Sequence, residues 1–188
     1  CECIEECLKE YNIANIPLTS TGYIRREYRE RMNENPKNRK RFIETRLTPE
    51  LYTLLKEGFR GGDTHASLRW SGQVIENVDS FDISSSYPAS LMTRQFPITP
   101  FLKTNSKTFF TRDWTGYAYI FRIRLTNVRY IGITGNPYLP FSKCRKITSD
   151  RILDNGRVLY AGVVETTFTD IDWNIFKGQY LFDDMYVK

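Results

Sequence analysis

Asp82 stands in the one stretch of this sequence whose residue types and spacing suit phosphoryl-transfer chemistry. It ends the strand-like run Gln73 to Ile83 and is followed by Ser84, Ser85, Ser86, Tyr87 and Pro88. Pro88 suits the first turn of a short helix, so the pattern puts Asp82 at the end of a strand that feeds a helix. Divalent metals in phosphoryl transfer need hard carboxylate oxygens on rigid elements, where two ions about 4 Å apart activate the attacking oxygen and stabilise the leaving one. An aspartate before a turn also serves as an ordinary cap, and the residues alone leave both roles open. Upstream, Phe59-Arg60-Gly61-Gly62 forms a joint whose adjacent glycines permit backbone angles or close contacts that a side chain would block. Arg60 there suits a phosphate contact and equally a solvated position.

The elements that must hold these residues follow from caps and periodicity. Tyr23 to Met32 reads as a charged helix, broken over Asn33 to Asn38 with Pro36 inside. Thr48-Pro49-Glu50 is a strong helix start, with a Thr cap, Pro at the first position and an acid in the first turn; Gly58 is placed to end that helix. Tyr117 to Leu125 alternates imperfectly, with Tyr117, Tyr119, Phe121, Ile123 and Leu125 on one side, and Tyr130 to Ile133 adds a further strand signal. Asn155-Gly156 is a hairpin turn introducing a strand over Val158 to Thr166. Thr169-Asp170-Ile171-Asp172 opens the last helix with a reciprocal capping pattern, and Ile171, Ile175, Phe176 and Tyr180 suit packing on a sheet. Glu2 to Tyr11 has helical spacing, and Cys1-Glu2 reads as a processing boundary. The class is α+β.

Bulk properties narrow the partners. The 188 residues carry a formal net charge of +5, and 40% of them are hydrophobic. The basic excess is concentrated between Tyr23 and Arg46, where nine Arg and Lys, Arg25 and Arg26 among them, face four Glu. That pattern suits a polyanion and also a solvated helix face. No apolar run is long enough for a membrane span. Cys1, Cys3, Cys7 and Cys144 lack the paired spacing of a zinc site and read as reduced thiols of a cytoplasmic protein.

Asp82-Ile83-Ser84-Ser85-Ser86-Tyr87-Pro88 closely resembles the D-x-x-S-L-Y-P motif of family B DNA polymerases, with Ser86 where Leu is usual. The run Phe81 to Met92 looks like that of the protein-primed polymerases of phages and linear plasmids. Phe59-Arg60-Gly61-Gly62 resembles the Y-x-G-G element of the same family, with Phe for Tyr, so any contact through a hydroxyl is lost while the ring can still stack. The resemblance implies that Asp82 and the Ile83 carbonyl bind magnesium, two ions in the intact enzyme. It implies that the backbone amides of Ser84 to Tyr87 contact the triphosphate, and that Tyr87 packs under the incoming sugar and excludes a 2′-hydroxyl. Phe59, Arg60, Gly61 and Gly62 would grip template strand, and Arg25 and Arg26 lie in a stretch similar to the one joining exonuclease and polymerase domains.

The implied architecture is a partial polymerase palm with an inserted mixed α/β subdomain. Its divisions are 1–47 (end of the exonuclease region and basic linker), 48–96 (first palm segment), 97–167 (insertion that meets the priming protein and DNA) and 168–188 (returning palm helix). Implied partners are template-primer DNA, a deoxynucleoside triphosphate, a terminal priming protein and the remaining polymerase domains, in a bacterial host cytoplasm. The 188 residues contain neither a D-T-D carboxylate motif nor the fingers helix K-x-x-x-N-S-x-Y-G. The expectation is therefore a piece that neither extends nor degrades a primer alone and holds metal weakly or not at all. Three rivals remain: a non-catalytic nucleic-acid-binding module, a structural domain with no ligand, and a small nuclease suggested by Tyr130-Ile131-Gly132, which lacks the Gly-Ile-Tyr strand that GIY-YIG endonucleases place before it. His65 reads as a loop or strand residue, and Trp114 and Trp173 as packing residues.

Overall fold

The computed structural model describes residues 19–133 and 135–188. The helical spacing near the N-terminus and Cys1, Cys3 and Cys7 lie outside the described residues. Two compact units divide between Arg46 and Leu47. In the first, helices α1 (Ser20–Glu34) and α2 (Pro36–Glu44) are separated by Asn35. The break expected over Asn33 to Asn38 is thus one residue long. Asn35 caps the new helix by accepting from the Lys37 N–H, and Pro36 starts it, since a first-turn position has no helical N–H bond to lose. Arg26 pairs with Glu30 at 3.1 Å and Arg31 with Glu27 at 2.6 Å along the surface of α1.

The second unit is built on an antiparallel sheet. Its strands are β1 (Ile120–Tyr130), β2 (Cys144–Ile147), β3 (Arg151–Asp154), β4 (Arg157–Thr169), β5 (Tyr180–Leu181) and β6 (Met185–Val187). The long β1 and β4 lie side by side from Ile120 opposite Thr169 to Arg129 opposite Tyr160; β2 and β3 flank β4, and β5 and β6 flank β1. Asn155 and Gly156 turn the β3–β4 hairpin with φ of 42° and 81°, the left-handed pair that a two-residue turn demands. The strand signal at Tyr130 to Ile133 is the end of β1, not a separate strand: Tyr130 still pairs, with Tyr180.

Alternation on β1 sends Phe121, Ile123 and Leu125 into the core, where they meet Val164 and Phe168 of β4. Helix α6 (Asp170–Gln179) covers that face, and its capping box is complete: Thr169 accepts from the Asp172 N–H, and Asp172 accepts from the Thr169 N–H. The face it buries is set by Trp173 and Phe176, with the Phe176 and Tyr180 rings stacked at 4.6 Å. Ile171, at 65% exposed, and Ile175 lie off that face. Aromatic area won: the broad rings of Trp173, Phe176 and Phe168 fill the interface, and aliphatic spacing alone did not identify the stripe. Trp173 packs as expected, and Trp114 donates its indole N–H to the Phe109 carbonyl at 2.8 Å.

Three helices precede the sheet in this unit: α3 (Pro49–Gly58), α4 (Ser86–Thr93) and α5 (Ser106–Thr111). Helix α3 begins at the Thr48 cap, as the sequence predicts, and lies against β1 and β4. The architecture is α+β with antiparallel pairing throughout, and the described part of the segment 97–167 contributes helix α5 and most of that sheet. The division expected at 167/168 falls inside the continuous strand β4. Among the described residues, no helix is long and apolar enough to cross a membrane.

Candidate functional site

Residues 73 to 83 form no strand. The β-forming side chains are there, but a strand exists only when another backbone accepts its hydrogen bonds, and no neighbour among the described residues does so. Asp82 therefore sits in an exposed segment without secondary structure, three residues before Ser85. It makes no hydrogen bond or ion pair among the described residues, so the cap role that the sequence left open is not taken. Ile83 is 74% exposed. Ser85 adopts φ 52°, ψ 38°, a left-handed turn that reverses the chain into α4, and its side chain makes no cap bond. Its carbonyl accepts from the Ala89 N–H at 2.9 Å. Pro88 has no N–H to satisfy, which leaves the Ser86 and Tyr87 amides at the helix start as open donors of the kind anions use.

The second motif is positioned by a different set of forces. From Glu57 to Leu68 the chain is pinned across the sheet by contacts between residues far apart in sequence. Glu57 receives Arg122 at 2.8 and 3.0 Å, and Thr167 at 3.1 Å. Arg60 turns inward: its Nε lies 3.2 Å from Asp172, its Nη2 donates to the Thr167 carbonyl at 3.4 Å, and its guanidinium sits over the rings of Tyr138 and Phe168. With a side chain 13% exposed, Arg60 is an anchor to the sheet and points away from solvent. Asp63 pairs with Arg157. Asp154 then accepts from the Leu68 N–H at 2.6 Å, from Ser67 at 3.1 Å and from His65 at 3.2 Å. Burial pushes the Asp154 carboxyl up, but those donors outweigh it and hold it below the usual range. Ser67 and His65 both bind Asp154 and not each other, so this trio is a staple with no nucleophile–base contact.

Within this frame Phe59 is 68% exposed with the Lys143 ammonium 5.9 Å from its ring centroid. Gly61 and Gly62 adopt no left-handed angles. A Cβ at Gly61 would meet open space, and one at Gly62 would lie 3.7 Å from the Tyr87 hydroxyl, an ordinary contact. The glycine at a truly close approach is Gly58, where a Cβ would come within 2.8 Å of Ile120 Cδ1. The Tyr87 hydroxyl thus lies near Gly62, which places the two sequence motifs close together. Arg25 and Arg26 lie on α1 in the other compact unit.

A family model described as DNA polymerase type B, organellar and viral, matches residues 12–176. The chain belongs to that family. No curated protein and no solved structure matches it. The family match spans both motifs and both compact units of this type B polymerase chain. Among the described residues no group of three or more His, Cys, Asp or Glu lies close enough to share an ion.

The residues that sequence reasoning missed are the pinning ones: Glu57, Asp63, Asp154, Arg157 and, beyond its capping role, Asp172. Their partners lie 65 to 112 positions away, so no local spacing marks them. Cys144, which a zinc reading would need, is mostly enclosed; burial pushes its thiol up to about 12 and leaves it inert near neutrality.

Proposed function

We propose that this chain is the part of a DNA-directed DNA polymerase that carries its first active-site aspartate, and that it does not polymerise alone. The observation that carries the reading is Asp82 itself. It is exposed, bound to nothing among the described residues, and followed by a turn into a helix whose Tyr87 hydroxyl lies over Gly62 of the second motif. A structural cap would be bonded locally; a carboxylate kept free at the mouth of a turn suits an external ligand.

In the complete enzyme magnesium supplies the positive charge that phosphoryl transfer requires. Asp82 contributes one carboxylate and Ile83 its carbonyl, with the other ligands coming from remaining polymerase segments. The Ser86 and Tyr87 amides hold triphosphate oxygens, and Tyr87 excludes a ribose hydroxyl by bulk. Arg25 and Arg26 contact phosphates of template-primer DNA, and the exposed Phe59 ring stacks near the strand. Arg60 positions that ring and the glycines by tethering the segment to the sheet. The 97–167 segment faces the priming protein in this reading.

Exposed apolar side chains around the site support the need for further polymerase domains. Val74 is 95% exposed, Phe81 90% and Met92 88%, a density of bare apolar surface that marks an interface. The test is Asp82→Asn in a polymerase completed with those domains. Primer extension should fall by roughly 10³-fold, about 4 kcal/mol of transition-state stabilisation, with template-primer affinity nearly unchanged. Extension at near wild-type rates would remove the metal role.

A further inference from the structure

The backbone at Gly62 is not left-handed, so its conformation does not call for glycine. What the missing side chain leaves there is room, and the Tyr87 hydroxyl borders it. A Cβ at Gly62 would lie 3.7 Å from that hydroxyl, whereas one at Gly61 would meet nothing within 4 Å. A single methyl fits at such a distance. A branched side chain at 62 reaches into the place of the hydroxyl, and one of the two must then shift.

The strap is poorly able to withdraw. Two residues before Gly62, Arg60 is held by Asp172 at 3.2 Å and by the Thr167 carbonyl at 3.4 Å. One residue after it, Asp63 pairs with Arg157 and accepts from the Asn136 side-chain amide at 3.3 Å. Arg157 is itself buried, and it also donates to the Thr64 carbonyl at 3.0 Å and to the Tyr138 carbonyl at 3.1 Å. Only Gly61 and Gly62 lie between these two tethers. Tyr87 is the freer partner: it is 75% exposed, and helix α4, which carries it, has no buried residue. Its hydroxyl makes no hydrogen bond among the described residues.

We propose that Gly62 is a positioning residue for sugar selection. It keeps open the place beside which the Tyr87 hydroxyl rests, so that the tethered strap fixes how far the ring stands from an incoming nucleotide. Gly62 acts through Tyr87 and does not itself touch the sugar, a task separate from any grip on template. Sugar selection in this form rests on the role proposed for Tyr87, the ring that packs under the sugar and excludes a 2′-hydroxyl. With the strap tethered on both sides, a branched side chain at 62 drives the phenol into another rotamer. A displaced ring no longer fills the space that a 2′-hydroxyl would take.

Two measurements test this. The first uses the 188-residue chain labelled with 3-fluorotyrosine, in which the Tyr87 fluorine resonance is the one missing from Tyr87→Phe. Gly62→Val should shift that resonance and Gly62→Ala should shift it less, while Gly61→Val should leave it in place. The second uses a polymerase completed with the remaining domains and reads the ratio of kcat/KM for a deoxynucleotide to that for the matching ribonucleotide. Gly62→Val should lower the ratio roughly tenfold, the low end of what one misplaced group in a pocket carries. Gly62→Ala should fall between that variant and the unsubstituted enzyme, and it carries both measurements if the valine variant does not fold.

Weakened template grip or a merely structural role would slow both nucleotides alike, so an unchanged ratio overturns the proposal. A fluorine resonance that ignores position 62, or answers equally to 61 and 62, overturns it too. Tyr87→Ala separates the two roles. If Tyr87→Ala relaxes selectivity and the Gly62 variants do not, the positioning role alone falls. If Tyr87→Ala leaves selectivity intact, the sugar role of Tyr87 falls and takes the positioning role with it.

Discussion

Two stretches of the same unit solve opposite problems. Between Glu57 and Leu68 the chain is tied to distant partners on the sheet, through Glu57–Arg122, Arg60–Asp172, Asp63–Arg157 and the three donors on Asp154. Between residues 73 and 102 the chain displays large apolar side chains and a free Asp82, with few partners of its own. Stability therefore resides in the pinned strap and the sheet, and the candidate chemistry resides where internal contacts are fewest. A carboxylate meant for an external ion must stay uncommitted, and a surface meant for a partner must stay bare.

That division can be broken by experiment, beginning where the effect is largest. Asp172→Ala removes the ion partner of the buried Arg60, the acceptor of the Tyr138 hydroxyl and half of the α6 capping box at once. Breaking a buried pair on one side typically costs about 3–5 kcal/mol, and denaturant unfolding of the chain should register a loss of that order. A loss below about 1 kcal/mol would mean that the strap is not held through Arg60.

Acid should then loosen the strap before it affects the Asp82 stretch. Glu57, Asp154 and Glu165 all have carboxyls held below their unfolded values, so each contributes stability that is fully present above the ordinary carboxylate range of about 4. That contribution is lost as pH falls through their depressed folded values. Thermal midpoints measured from pH 6 downward should hold level and then drop below about pH 4; a drop already complete at pH 6 would contradict it. The smallest effect is expected at Met92→Ser, within about 0.5 kcal/mol, because an 88% exposed side chain has little packing to lose. A loss of several kcal/mol there would show the 73–102 stretch to be packed after all.

Elements with local codes were legible from the sequence. The Thr48 cap and Pro49, the Asn155-Gly156 turn and the Thr169–Asp172 capping pattern each involve residues within a few positions, and each forms as read. The family was legible for another reason, the likeness of the Asp82 and Phe59-Arg60-Gly61-Gly62 motifs to those of type B polymerases. What local reading could not reach depended on partners. The strand at 73 to 83 has suitable residues but no pairing backbone among the described residues. The α6 stripe was read from Ile171, Ile175, Phe176 and Tyr180; Phe176 and Tyr180 are buried as read, but Trp173 takes the place given to Ile171 and Ile175. Arg60 looked equally fit for phosphate or solvent, and only Asp172, 112 positions on, turned it inward.

Asp172 has one more implication, for how relatives of this chain can diverge. Its carboxylate is shared by the first turn of α6, the guanidinium at position 60 and the phenol at position 138. Changing Asp172 strands the other two with an unmet charge and an unmet donor in a nearly dry setting, and changing Arg60 leaves the Asp172 carboxylate without its cation. A substitution at 172 should therefore come with changes at 60 and 138, so that an aligned set of homologues would show both positions covarying with 172 even where the rest of the strap has drifted.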